Sequence, residues 1–356
     1  MNKMKIGLLI HDNVWFCPYI SLYIPIIEEV GAEYDIIYWN KEALNEKGIP
    51  YNYKFSNDNP NFMKLWGYLK YSRFIRKTIK KHSYDKLIIF GPQIGIFLYS
   101  FLKSRYFNKF IFDYRDLSIE GKFPKTFRKL LSISSLNVIS SPGFKKCLPD
   151  GFDYLLSHNI NRSLFNHFSG YQFKVTSGKR YVVLTIGALR DFESNKEVID
   201  ALGNDERFEL RFVGRGPSEE DLKRYSIAKG FANVSFTGFY KKEDEYKYIE
   251  EADFLNIYYP RKISHDTALS NRFYNSLLFC KPMITTKDTI QGDYAEKYGV
   301  GIAIKNCSNL AENLISFTDG QGSIYMKGRN SVLASIKKDC ETFDNMVKSF
   351  VKNRNL

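Results

Sequence analysis

Cysteine is scarce and scattered. The five present (Cys17, Cys147, Cys280, Cys307 and Cys340) are odd in number and far apart, with no C-x-x-C pair. Neither a disulfide framework nor a thiolate zinc site is indicated, and a reducing cytoplasm is the expected setting. Long apolar runs are missing too. After MNKMK the run IGLLI stops at His11-Asp12, too short for the core of a signal peptide. The longest uncharged stretch, LIIFGPQIGIFLYSFL between Lys86 and Lys103, falls short of the ~20 residues a spanning helix needs. Gly91-Pro92 breaks it, so it reads as strand, turn, helix. No repeat and no low-complexity segment is found.

What is present is globular. The chain has 356 residues, 44% apolar and 26% charged, with aromatics at 16% through 25 Tyr and 29 Phe. That length exceeds one ordinary domain, so two domains of Rossmann size are expected. A formal charge of +13 implies an anionic partner, for which nucleic acid, membrane headgroups and sugar nucleotides all qualify.

Strands alternate with helices throughout. KIGLLI opens as a buried strand, followed by a helix over about 18–30 and the strand YDIIYW ending at Trp39. Residues 62–81 form a helix with Phe62, Leu65, Trp66, Leu69 and Ile75 on one side and Lys70, Arg73, Arg76, Lys77, Lys80 and Lys81 around the rest. Strands KLIIF, KFIFDY and LNVISS complete the first half. The pattern lapses between about Asn166 and Arg180, and a fresh alternation begins with YVVLTI. Strands over 181–186, 208–213, 233–237 and 253–258 then alternate with helices over 195–202, 218–228 and 242–251. The expected organisation is an α/β chain of two Rossmann-like doubly wound domains facing a cleft, over 1–168 and 169–324, with a closing helix over 325–356.

In open α/β sheets ligands collect beyond the carboxyl ends of the strands. Within ALSNRFYNSLLFCKPMITT, Ser270 or Asn271 is a good N-cap, Phe273, Tyr274, Leu277 and Leu278 share a face, and Lys281-Pro282 stops the helix before a strand. Such a helix N-terminus attracts phosphates, although an ordinary packing helix looks the same. After 181–186 comes GALRDFESNKEV. Ser194 and Glu197 have capping-box spacing there, which puts Lys196 in the first turn of the next helix, with Arg190 in the preceding loop. Two cations of this kind can clamp a diphosphate, or form a solvated basic loop. GRGPSEEDL carries Gly214 and Gly216 for tight backbone passage and Ser218 with Asp221 for a helix start. It lacks the third glycine of a dinucleotide fingerprint.

Order and spacing together resemble a family. From Tyr181 to Ile304 the motifs IGALR…K, FVGRGP…L, NVSFTGF, EEADFLNIY, LSNRFYNSLLFCKPMI and YGVGIAI follow the nucleotide-sugar domain of GT-B glycosyltransferases of the family-4 type. The resemblance continues more faintly through IFDYRDLS and VISSPGFKKCLP. It implies that Arg190 and Lys196 hold the donor diphosphate, that Ser270-Asn271 face it, and that Gly187, Gly214, Asp266 and Asn275 belong to the donor site. One departure is plain. Where such enzymes usually carry two glutamates eight positions apart, this chain has Thr267 and Asn275, leaving Asp266 as the nearest acid. Asn275 can hydrogen-bond a hydroxyl but brings no charge. The glycine-rich loop common after the first strand is replaced by His11-Asp12-Asn13.

In the first half, Asp113, Arg115 and Asp116 follow a buried strand, with Arg115 where many relatives have histidine. Asp116 or Asp113 is then a candidate to take the proton of an acceptor hydroxyl, against the alternative of an Asp-Arg pair bracing the strand end. His11 is a second candidate base, and His158 is expected near the domain crossover. The basic helix 62–81 and KFPKTFRKLL over 122–131 can lie on an anionic membrane or simply pack with a solvated face. Nucleic acid is not expected, because no recognition motif is present.

The resemblance implies a glycosyltransferase that moves a sugar from a nucleotide-diphosphate donor to a glycan or a polyprenyl-diphosphate-linked acceptor, in bacterial capsule or exopolysaccharide synthesis. No cofactor and no metal is expected, since no D-x-D occurs and cations with a helix dipole can stabilise the departing diphosphate. The alternatives are a non-catalytic glycosyltransferase-like partner subunit and a nucleotide-sugar epimerase. Localisation is expected in the cytoplasm or peripherally on the inner face of the plasma membrane.

Overall fold

The computed structural model describes residues 3–46, 49, 51–54, 63–167, 170–173 and 180–353. Phe62, one of the expected apolar positions, and much of the expected linker over 166–180 lie outside the described residues. Two compact units emerge, Met1–His158 with Lys338–Leu356, and Asn159–Lys337. Residues 159–168, expected with the first domain, fall in the second unit.

The first unit runs β1 (Lys5–Ile10), α1 (Ile24–Glu29), β2 (Glu33–Trp39), β3 (Tyr51–Tyr53), α2 (Met63–His82), β4 (Lys86–Phe90), α3 (Pro92–Arg105), β5 (Phe110–Tyr114), α4 (Pro124–Leu131), β6 (Leu136–Ile139) and β7 (Leu155–Leu156). Its seven strands are parallel in the order β3-β2-β1-β4-β5-β6-β7. The runs KLIIF and FIFDY are buried at every position, as central strands covered on both faces must be. The helix expected over 18–30 is instead a 3-10 turn at Pro18–Leu22 followed by α1. Pro25 has no N–H to carry the ladder through.

On α2, Ile75 and Ile79 are buried, and the Tyr71 hydroxyl, also buried, donates to the carbonyls of Ile10 (2.5 Å) and Ile37 (3.0 Å). Trp66 is 45% exposed and lies under Lys70 and Arg73.

The second unit holds α5 (Leu164–His167), β8 (Tyr181–Ile186), α6 (Phe192–Leu202), β9 (Phe208–Val213), α7 (Glu219–Ala228), β10 (Val234–Gly238), α8 (Glu245–Glu250), β11 (Phe254–Ile257), α9 (Ile263–Thr267), α10 (Asn271–Leu278), β12 (Met283–Thr286), α11 (Ile290–Tyr298), β13 (Gly301–Ile304) and α12 (Leu310–Thr318). Its six parallel strands run β10-β9-β8-β11-β12-β13. In each sheet the strand order reverses once, between β1 and β4 and between β8 and β11, which is the Rossmann switch point.

The last helix, α13 (Gly322–Lys352), starts three residues before the expected 325, and its residues divide between the units at Lys337/Lys338. Within the second unit, buried Arg329 donates to the carbonyls of Leu277 (2.5 Å) and Leu278 (3.1 Å), satisfying the end of α10. Within the first, Phe343, Val347, Phe350 and Val351 join the core formed by β1, β2 and α1.

Candidate functional site

The carboxyl edge of the second sheet is floored by backbone. Gly187, just past β8, has φ +101°, and Gly214, just past β9, has φ +129°. A Cβ on Gly214 would lie 2.0 Å from the Gly187 carbonyl oxygen, and one on Gly216 would lie 2.3 Å from that of Leu189. The two loops are zipped together by Leu189 N–H to Arg215 O (3.1 Å) and Ser218 N–H to Leu189 O (3.0 Å). Only glycine permits both the positive φ and this approach.

Helix α10 is capped as its residues suggest. The Ser270 hydroxyl oxygen accepts from the Phe273 N–H (3.3 Å) and donates to Gln291 Oε1 (2.7 Å), which also takes the Ser270 N–H (3.0 Å). The N–H groups of Asn271 and Arg272, in its first turn, have no intrahelical acceptor.

Arg272 went unremarked in the sequence, yet it organises this edge. It is 8% exposed, with Nε donating to Ile186 O (2.5 Å), one terminal nitrogen to Asn256 O (3.2 Å) and the other to Ala188 O (3.4 Å). The guanidinium therefore spans the switch point between β8 and β11 and holds the start of α10 to the Gly187 loop. Only its place in the first turn of a helix at a strand exit could have signalled this.

The other candidates have local partners. Arg190 is exposed, and its carbonyl accepts from the Ser218 hydroxyl (2.8 Å). The capping box at Ser194 and Glu197 is not formed. Helix α6 begins at Phe192 after Asp191, Ser194 is buried within it, and Glu197 accepts from the Tyr258 hydroxyl (2.7 Å). An earlier start places Lys196 beyond the first turn, where its ammonium pairs with Asp200 (2.9 Å) and lies over the Tyr225 ring. Asp266 accepts from Arg261 (2.9 and 3.1 Å), and Asn271 Oδ1 accepts from Asn159 (2.9 Å). Thr267 is buried, its hydroxyl donating to Ile263 O (2.7 Å). Asn275 donates to Glu245 Oε1 (3.0 Å), a carboxylate also bonded by Tyr240 and Lys242, at the rim of a cavity of about 660 Å³. An acid thus stands beside Asn275, supplied by α8.

At the carboxyl edge of the first sheet, Asp113 has no exposed surface. Its Oδ2 accepts from Arg115 and from the Tyr23 hydroxyl, both at 2.6 Å. Arg115, 7% exposed, also donates to the Ser157 carbonyl and hydroxyl. Burial works against its charge, but the Asp113 carboxylate together with the Tyr23 and Tyr19 hydroxyls holds the guanidinium above its ordinary value. This is a buried brace at the strand end. Asp116, by contrast, is exposed on the following loop.

His11, past β1, is half-buried, with Nδ1 3.3 Å from Phe90 O across the switch point. Gly91, φ +89°, leaves room for the ring, since a Cβ there would lie 3.1 Å from Nδ1. Burial first, and then the Lys41 ammonium, push the imidazole down to about 4, against Asp12 and the Phe90 carbonyl. It is neutral at pH 7. His158 is buried and meets Asp339 (3.1 Å). Among the described residues no three His, Cys, Asp or Glu side chains converge to hold a metal ion.

Solved structures share this architecture along the whole chain. A sucrose-phosphate synthase from Thermosynechococcus elongatus superposes with a TM-score of 0.71 at 11% identity, covering 98% of this chain and 99% of its own. The fold is GT-B. The GT-B likeness extends to Anabaena HepE, solved with UDP and glucose (TM-score 0.63, 14% identity, 96% and 100% covered). It extends also to WaaG, a glycosyltransferase involved in lipopolysaccharide biosynthesis (TM-score 0.64, 12% identity, 96% and 99% covered). No family model matches the sequence, and no curated protein matches it. At these identities the relationship is one of fold.

Proposed function

We propose that this GT-B protein is a glycosyltransferase, moving a sugar from a nucleotide-diphosphate donor to a glycan or polyprenyl-diphosphate-linked acceptor in bacterial surface-polysaccharide synthesis. The observation that carries the reading is the side-chain-free floor at Gly187 and Gly214, with the first turn of α10 pinned beside it by Arg272. Bare backbone lets a diphosphate approach closely, and the helix end and nearby cations favour its charge. In this reading Arg190 reaches the diphosphate as it departs, and no metal takes part. Asp116 or His11 accepts the acceptor proton, because Asp113 has no surface from which to do so. Asp116 is exposed, whereas His11 is half-buried with Nδ1 against the Phe90 carbonyl, and this access favours Asp116.

Purified protein is screened for thermal protection and for donor turnover with UDP-, GDP- and dTDP-sugars, with Arg190→Ala alongside. Protection by one nucleotide diphosphate, lost in that variant, is the expected result. Absence of binding by any nucleotide sugar ends the enzyme reading. Thr267 and Asn275 in place of acids support one other reading, a non-catalytic subunit, which would bind donor without ever releasing or transferring its sugar. A free, inverted nucleotide sugar would instead reveal an epimerase.

The protein acts in the cytoplasm, at the inner face of the plasma membrane in this reading. Among the described residues no helix is long and apolar enough to cross a membrane. Lys77 and Lys81 on the exposed face of α2 would meet anionic headgroups, and Lys77→Gln with Lys81→Gln should weaken sedimentation with anionic liposomes.

A further inference from the structure

A cavity of the first unit lies away from the edge that carries His11 and Asp116. It opens at the amino-terminal ends of β1, β4 and β5, with a volume of about 1210 Å³. Its floor is apolar: Met4, Ile79, Tyr84 and Tyr106 are buried, and the Tyr84 and Tyr106 hydroxyls are already spent on Asp35 (2.8 Å) and Tyr84 O (2.9 Å). Its rim is cationic. Lys3, Lys5, Lys80, Lys86, Arg105 and Lys109 line it against only Glu33 and Asp85, a net charge of six minus two, or +4.

The two acids do not neutralise that rim. Asp85 accepts from the Lys5 N–H (2.7 Å), and Glu33 is 4.0 Å from Lys3. Lys5 pairs with Asp35 (2.8 Å), and Lys86 donates to the carbonyls of Phe350 and Asn353 at the end of α13 (both 2.5 Å). Among the described residues, the side chains of Lys80, Arg105 and Lys109 make no hydrogen bond or ion pair. Lys80 and Arg105 stand in the last turns of α2 and α3, where the helix dipole accounts for a cation. Lys109, ahead of β5, has no such account, and the dipole does not explain why three unpaired cations from three elements gather round one concavity.

We propose that this cavity binds a ligand bearing several phosphate charges, free in solution or carried as a lipid headgroup, with Lys80, Arg105 and Lys109 as its counter-charges. Arg105 can take a phosphate bidentately while the two lysines act as mobile point charges. The apolar floor accommodates the organic part of such a ligand. The site is independent of the donor edge, so its failure and the failure of the glycosyltransferase reading are separable.

The test is titration of the full chain with inorganic tripolyphosphate, in the Arg190→Ala background so that the donor edge does not report. The expected result is saturable binding, weakening as salt is raised. Lys80→Gln, Arg105→Gln and Lys109→Gln combined should weaken it at least about tenfold, while nucleotide protection of the otherwise wild-type chain carrying the same three changes stays intact. Vesicles of neutral lipid with and without phosphatidic acid distinguish the sources. Capture by phosphatidic acid that tripolyphosphate competes away indicates a headgroup, and tripolyphosphate binding without capture indicates a soluble ligand. No tripolyphosphate binding, or equal binding by the triple variant, overturns the proposal.

Discussion

Arg272 Nε donates to the carbonyl oxygen of Ile186 at 2.5 Å, joining two residues 86 positions apart. With Asn256 O and Ala188 O as its other acceptors, this side chain sets the start of α10 against the ends of β8 and β11. Replacing Arg272 with Met leaves buried carbonyls without donors, at a cost on the order of 3 kcal/mol. Urea unfolding should show a lowered midpoint, and lysine, which cannot span three acceptors, should restore only part of it.

Gly214→Ala and Gly230→Ala form a matched pair. Both glycines have positive φ, but a Cβ on Gly214 would strike Gly187 O while one on Gly230 meets nothing within 4 Å. Alanine at Gly230 should cost about 1 kcal/mol and leave nucleotide protection intact. Alanine at Gly214 must displace the floor of the donor edge, so thermal protection by nucleotide should be lost. Equal behaviour of the two would show that the close approach does not matter.

The neighbouring aspartates after β5 should separate cleanly. Asp113→Asn strips the charge that compensates buried Arg115, and a loss of about 3–5 kcal/mol is expected in chemical denaturation. Asp116→Asn changes an exposed side chain and should leave stability within about 0.5 kcal/mol. If Asp116 is the base, kcat falls with KM for the donor unchanged.

His11 gives the fold a pH dependence of definite sign. Its value falls from 6.5 in the unfolded chain to about 4 in the fold, so the folded state prefers the neutral ring. The associated stability is present above pH 6.5 and is lost as pH drops from there towards 4. The loss is on the order of 2–3 kcal/mol. His11→Gln should flatten that slope in unfolding midpoints measured at pH 7.5 and 5, whereas an unaltered slope would assign it to other groups.

Much of the architecture was legible. Runs buried at every position, such as KLIIF, or at all but the first, such as YVVLTI, can be little else than central parallel strands, and the Ser270 cap formed where its residue type placed it. The strands that escaped notice, Tyr51–Tyr53 and Leu155–Leu156, are three and two residues long, half-buried, and lie at the two edges of the first sheet. Too little periodicity is carried by so few residues for a pattern to show. Helices α9, α11 and α12 escaped too. The capping box failed because Ser194 already lies inside a helix that starts at Phe192, a shift too small for propensity to resolve.

By itself, the sequence determined most of the longer strands and helices, that they alternate, and that the chain makes two doubly wound sheets. Burial period and capping are local properties, written within a few residues of one another. Only the tertiary structure decided the partners of the charged groups. Arg272 went to three backbone carbonyls, Asn275 acquired the carboxylate of Glu245, and Asp113 was sealed under the Tyr23 hydroxyl. A long polar side chain finds its acceptor by distance in space, and most of these acceptors are brought within reach only when the strands align.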